Sequence, residues 1–67
     1  MFDIQSFINK SLQEVEPIFR KYNQCTIIYQ NGKHIKTFGT NEGGPTYEIY
    51  IDSQSNVLDI KQFTIGY

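Results

Sequence analysis

Between residues 4 and 22 apolar side chains recur every three or four positions, at Ile4, Phe7, Ile8, Leu12, Val15, Ile18, Phe19 and Tyr22. That spacing lines up one stripe on a helix. Lys10, Gln13, Glu14, Arg20 and Lys21 fall mainly off the stripe and supply a solvated face. The pattern predicts one amphipathic helix from Phe2 to Tyr22, with Asp3 as its N-cap. Pro17 has no amide to donate, and its ring crowds the carbonyl one turn back. Because the stripe continues in phase beyond it, the expectation is a kink at Pro17 rather than two helices. A helix of about 20 residues runs roughly 30 Å, and a bend lets it follow a twisted sheet.

From Cys25 onward the period changes from helical to alternating. The runs TYEIYID and VLDIKQFT, separated by Ser53, Gln54, Ser55 and Asn56, read as an antiparallel hairpin. With Gln54 and Ser55 at its tip, Ile51 faces Leu58, Ile49 faces Ile60 and Tyr47 faces Gln62 on one side. On the other side Tyr50 faces Asp59, and Glu48 faces Lys61 as an opposite-charge pair. A one-residue slip would set apolar against polar side chains, so the register is constrained.

CTIIYQ and KHIKTF flank Asn31-Gly32, the strongest short hairpin signal, because a type I′ turn needs positive φ at both central residues. This turn sets Ile28 opposite Ile35, Thr26 opposite Thr37, Tyr29 opposite His34, Ile27 opposite Lys36 and Cys25 opposite Phe38. Burying the side with Ile28 and Ile35 avoids placing an unpaired Lys36 ammonium in the core. The loop from Gly39 to Pro45 joins the two hairpins, and Ile65 to Tyr67 form a tail that is frayed or continues the last strand. The expected fold is α+β: a single domain spanning residues 1–67, one N-terminal kinked amphipathic helix packed on a four-stranded antiparallel meander.

A chain of 67 residues buries only roughly 60% of the surface its unfolded form exposes, so the core is thin and the aromatics carry much of it. Six Lys and Arg against seven Asp and Glu give a formal charge of -1, which offers a polyanion no electrostatic attraction. Nucleic acid and anionic membrane are both disfavoured. The single cysteine excludes an intrachain disulfide and fits a reducing cytoplasm. Neither a basic leader followed by an apolar run nor a membrane-length apolar stretch is present in the sequence.

Candidate chemistry narrows quickly. In the expected register Cys25 and His34 lie about 13 Å apart along the strands, too far for a nucleophile and its base. One histidine does not make a metal site. Gly43, Gly44 and Pro45 precede a strand, whereas phosphate-cradling glycines precede a helix. Asp52 and Asn56 lack the ligand spacing of a calcium loop, and Asp52 with Asp59 has no pocket around it. The expectation is a protein without catalytic residues, metal or cofactor.

What remains is the sheet face away from the helix. There the expected register gathers Ile27, Tyr29, Phe38, Tyr50 and Phe63, ringed by His34, Lys36, Glu48, Asp59 and Lys61. An apolar patch with a charged rim has the anatomy of a protein interface. The sequence therefore predicts a small interaction module, an inhibitor or adaptor of a larger protein, binding another protein or a second copy of itself. The alternative use of the same aromatics is stacking on single-stranded nucleic acid.

Overall fold

The helical stripe is interrupted at Asn9 and runs on through Pro17. In the computed structural model, which describes residues 3–39 and 44–64, a 3-10 turn (Ile4–Phe7) precedes the α-helix α1 (Leu12–Lys21). Between them Ile8 is extended and Asn9 takes a left-handed φ of 72°, a conformation that asparagine tolerates better than most residues. The expected single helix is thus corrected to a turn and a helix, with Pro17 inside α1. Asp3 makes no side-chain cap. Ser11 does: its hydroxyl accepts the Glu14 amide at 3.3 Å, opening α1 with a Ser-x-x-Glu sequence typical of helix starts.

At the other end Asn23 adopts φ 54°. The amides of Gln24 and Asn23 return to the carbonyls of Phe19 and Arg20 at 2.9 and 3.0 Å, a left-handed C-terminal cap of the Schellman type. The chain then turns directly into the sheet.

Four strands follow: β1 (Cys25–Gln30), β2 (Lys33–Phe38), β3 (Pro45–Ile51) and β4 (Val57–Thr64). Their spatial order is β2-β1-β3-β4. Both hairpins form as expected, β1 with β2 and β3 with β4. The meander does not, because β3 pairs in parallel with β1 rather than antiparallel with β2. The sheet is mixed.

The reason lies in which strands can be flanked on both sides. β2 carries Lys33, His34 and Lys36 and is exposed along nearly its whole length, which suits an edge. β1 and β3 carry the apolar residues and stand in the centre. The connection after β2 passes the start of β1, where Gly39 at φ +83° lies so close that a Cβ would meet the Cys25 Cα and Gln24 carbonyl at 3.4 Å.

The first hairpin departs from the expected register by one residue beyond Tyr29, and the second only at Ile51, its pairs from Tyr47–Gln62 to Tyr50–Asp59 standing as expected. Asn31 and Gly32 both have positive φ, and Tyr29 faces His34 as expected. Beyond that pair a bulge makes Ile28 face Lys36 and Thr26 face Phe38. In the second hairpin Ile51 faces Val57, with Leu58 as the extra residue. Ile35 and Leu58, expected in the core, are 47% and 56% exposed.

One face of the sheet holds Ile28, Tyr47, Ile49, Ile51, Val57 and Ile60 against Phe7, Leu12, Val15 and Phe19. Phe19 is its pivot, fully buried, with ring centroids 5.4 Å from Phe7 and 4.9 Å from Tyr47. At one end the two hairpin turns are tied together: the Gln30 side-chain amide donates to the Asp52 carbonyl at 2.9 Å, and Asn31 donates to Ser53 Oγ at 3.3 Å. Parallel β1 and β3 finish side by side, so their following turns meet.

Candidate functional site

The 3-10 turn and α1 both pack on the core face; on the opposite, outer face Cys25 and Thr46 are buried at one end, and no described helix lies over the rest. Strand registers place its side chains in rows across the sheet. One row runs His34, Tyr29, Tyr50, Asp59, and the next runs Thr37, Ile27, Glu48, Lys61. Phe63 lies beyond them, paired with Thr46 and 36% exposed.

The first row is tightly organised. Tyr29 and Tyr50 stack with centroids 5.2 Å apart and planes 15° from parallel. His34 meets the Tyr29 ring edge to face at 5.9 Å, and Lys61 Nζ stands 5.4 Å from the Tyr50 ring centroid. His34 Nε2 lies 2.7 Å from Thr37 Oγ1. The Tyr50 hydroxyl donates to Glu48 Oε1 at 3.1 Å. Partial burial, followed by the charge and hydrogen bonding of Glu48, pushes both tyrosine hydroxyls up from their ordinary value.

Of the ten residues assigned to this face from sequence, eight stand on it: Ile27, Tyr29, His34, Glu48, Tyr50, Asp59, Lys61 and Phe63. Lys36 and Phe38 are corrected to the core face, because the bulge in β2 reverses the alternation beyond His34. The electrostatic objection to an inward Lys36 is met by a partner on α1. Its ammonium contacts Glu16 Oε2 at 2.7 Å, and Arg20 reaches the same oxygen at 3.2 Å. The Arg20 guanidinium also lies 4.9 Å from the Phe38 ring centroid. These residues fasten the edge strand to the helix. Thr37 joins the outer face in their place, and Asp59 stands on it as expected.

Other candidate chemistry is accounted for by local contacts. Cys25 is buried, with its sulfur 3.9 Å from the Gly39 carbonyl oxygen, while His34 stands on the far side of the Tyr29 pair. Asp52 Oδ1 accepts the amides of Gln54 and Asn56, each at 2.9 Å. Those bonds, that of Asn56 first, hold its carboxyl below the ordinary range. Asp59 Oδ1 accepts the Ile60 amide at 2.9 Å. Gly43 of the Gly-Gly-Pro segment and the tail from Ile65 to Tyr67 lie outside the described residues.

An open groove of about 640 Å³ runs between the end of α1 and the sheet, lined by Ile18, Tyr22, Pro45 and Tyr47 with Asp3, Gln24 and Gln62. It gathers no histidine, cysteine or lysine. Among the described residues no three His, Cys, Asp or Glu side chains converge as metal ligands, and no helix is long and apolar enough to cross a membrane. Compared with known protein families, curated proteins and solved structures, the chain matches none of them.

Proposed function

We propose that this chain is a small cytoplasmic protein-interaction module, an inhibitor or adaptor of a larger protein, that engages a partner protein through the outer face of its sheet. The observation that carries this reading is the ordered row of His34, Tyr29, Tyr50 and Lys61 on a stretch of the sheet that no described helix covers. Aromatic side chains dominate binding hot spots. Side chains already fixed by stacking lose little rotamer freedom on association. Tyr29, Tyr50 and Phe63 are the anchors, and His34, Glu48, Asp59 and Lys61 set orientation and rate.

The same geometry speaks against base stacking. The faces of Tyr29 and Tyr50 are turned to each other and to His34 and Lys61, so their π-surfaces are already taken. Glu48 adds a carboxylate beside both hydroxyls, where a phosphate backbone would have to pass.

The test is Tyr50→Ala combined with Phe63→Ala. The double variant is expected to keep its far-UV circular dichroism and lose association with a partner that the wild-type chain binds. Retained association by a folded double variant would move the interface elsewhere. Binding that fell steeply with added salt would point to phosphate contacts instead.

A further inference from the structure

The outer face has a layout that complements itself, and we propose that its occupant is a second copy of this chain, packed face to face about a two-fold axis. The proposal rests on the reading of the outer face as an interface and names its partner.

Pairing through strand edges is obstructed along β2 and over the first half of β4. β2 is broken by the bulge beyond Tyr29 and carries Lys33 and Lys36, devices that discourage strand addition. On β4, the Val57 amide and carbonyl are taken by the Lys10 carbonyl and the Asn9 amide, each at 2.8 Å. A bulge follows at Leu58, and the Ile60 amide is occupied by the Asp59 carboxylate. Association is therefore favoured through a face.

The row His34, Tyr29, Tyr50, Asp59 crosses all four strands, with its two tyrosines straddling the midline between β1 and β3. A two-fold axis parallel to the strands and above that midline lays the row on its own reverse. Tyr29 then meets Tyr50 of the second copy, and His34 meets Asp59 of the second copy, twice over. Such an isologous contact is closed after one pairing. An axis perpendicular to the strands and over the same row sets His34 against His34 and Asp59 against Asp59 of the second copy, so the layout favours the first arrangement.

Glu48, the one carboxylate in the middle of the face, brings its own partners. The Tyr50 hydroxyl donates to it, and Lys61 is its cross-strand neighbour. The Tyr50 hydrogen bond offsets part of the cost of covering this carboxylate.

The size of the face sets the strength. Four strands at roughly 4.8 Å spacing and about 20 Å of length offer on the order of 400 Å² per copy, below the roughly 800 Å² of a standard interface. The dimer is thus weak and concentration-dependent.

The experiment is sedimentation equilibrium of the full chain with ¹⁵N-¹H spectra recorded on dilution. Wild type is expected to show a monomer–dimer equilibrium, with dilution shifts at Ile27, Tyr29, Tyr50 and Lys61 and none at Ile18 or Tyr22. His34→Asp, which sets carboxylates opposite each other, should weaken the dimer about tenfold or more, and Asp59→Lys, which removes the acceptor that faces His34, should weaken it as well. The combined variant, which restores the pairing in reverse, should recover most of it. A chain that stays monomeric at millimolar concentration, dilution shifts centred on the Ile18 and Tyr22 groove, or a combined variant weaker than both folded single variants overturns the proposal. If wild type is monomeric and a different protein is lost on Tyr50→Ala with Phe63→Ala, self-pairing fails while the interface reading stands. If neither a second copy nor another protein responds to those substitutions, both fail.

Discussion

Tyr29 and Tyr50 stand on adjacent parallel strands with their rings 15° from parallel, and both are tied to the carboxylate of Glu48. Partial burial and this neighbouring negative charge disfavour tyrosinate, so both hydroxyls titrate above the ordinary value of 10.0. A folded-state pKa raised in this way leaves stability intact below the unfolded value and removes it as pH rises through the folded one. The melting temperature is therefore expected to hold to about pH 10 and fall beyond it. Glu48→Gln removes the charge, so the tyrosinate absorbance of the folded protein should begin to rise at lower pH. An unchanged titration in that variant would mean that Glu48 does not act on the pair.

Lys36 and Phe38 separate stability from association. Both lie on the helix side, where Lys36 contacts Glu16 at 2.7 Å and Phe38 lies under Arg20. Glu16 is largely sheltered, its side chain 14% exposed, while Lys36 is 44% exposed. Such a pair sits at the upper end of surface ion pairs, so Lys36→Ala should cost up to about 1 kcal/mol. Urea denaturation measures that loss, and association through the outer face should be unaffected. A Lys36→Ala variant of unchanged stability that no longer associated would return Lys36 to the interface.

The parts of this fold that local pattern could specify were legible in the sequence, and the parts it missed share a physical cause. Asn31-Gly32 dictated its turn, and the pairs Glu48 with Lys61 and Ile49 with Ile60 stand as the alternation required. The strand order was missed because local pattern was allowed to set adjacency. The polar composition of β2 argues for an edge, and the six-residue connection from Phe38 to Pro45 is long enough to pass one strand. Bulges at Ile35 and Leu58 are not written in alternation at all, because each is fixed by distant partners: Glu16 for Lys36, and Asn9 with Lys10 for Val57. Ser11 with Glu14 was a readable helix start, overshadowed by a stripe that continued past Asn9. On the outer face Tyr29, Tyr50 and Glu48 followed from parity alone, whereas Phe38 was lost to the bulge.

Gly39 tests the passage from β2 to β3. Its φ of +83° disfavours any side chain, and the space where a Cβ would sit is bounded by backbone atoms of Gln24 and Cys25. Gly39→Ala should therefore destabilise the chain by about 1–2 kcal/mol. Gly32→Ala is a useful control, since its φ is also positive but no atom lies within 4 Å of the added methyl. Chemical denaturation should rank Gly39→Ala as the more destabilising. Equal losses would mean that the chain does not press against the start of β1.

Asp52 makes the second hairpin sensitive to acid. Its Oδ1 accepts two backbone amides of its own turn at 2.9 Å, which lowers its pKa from 3.8. A lowered folded-state pKa contributes stability that is present above the unfolded value and lost as pH falls through the folded one. Stability should hold at neutral pH and decline as the solution passes below about pH 4. Asp52→Asn keeps an acceptor oxygen but cannot be protonated in this range, so its stability should fall less between about pH 5 and about pH 2 than that of wild type. Asp52→Ala loses the acceptor and should be less stable than wild type at neutral pH. Denaturation midpoints of the three chains across that range decide the matter: parallel pH profiles for wild type and Asp52→Asn would show that other carboxylates govern the acid response.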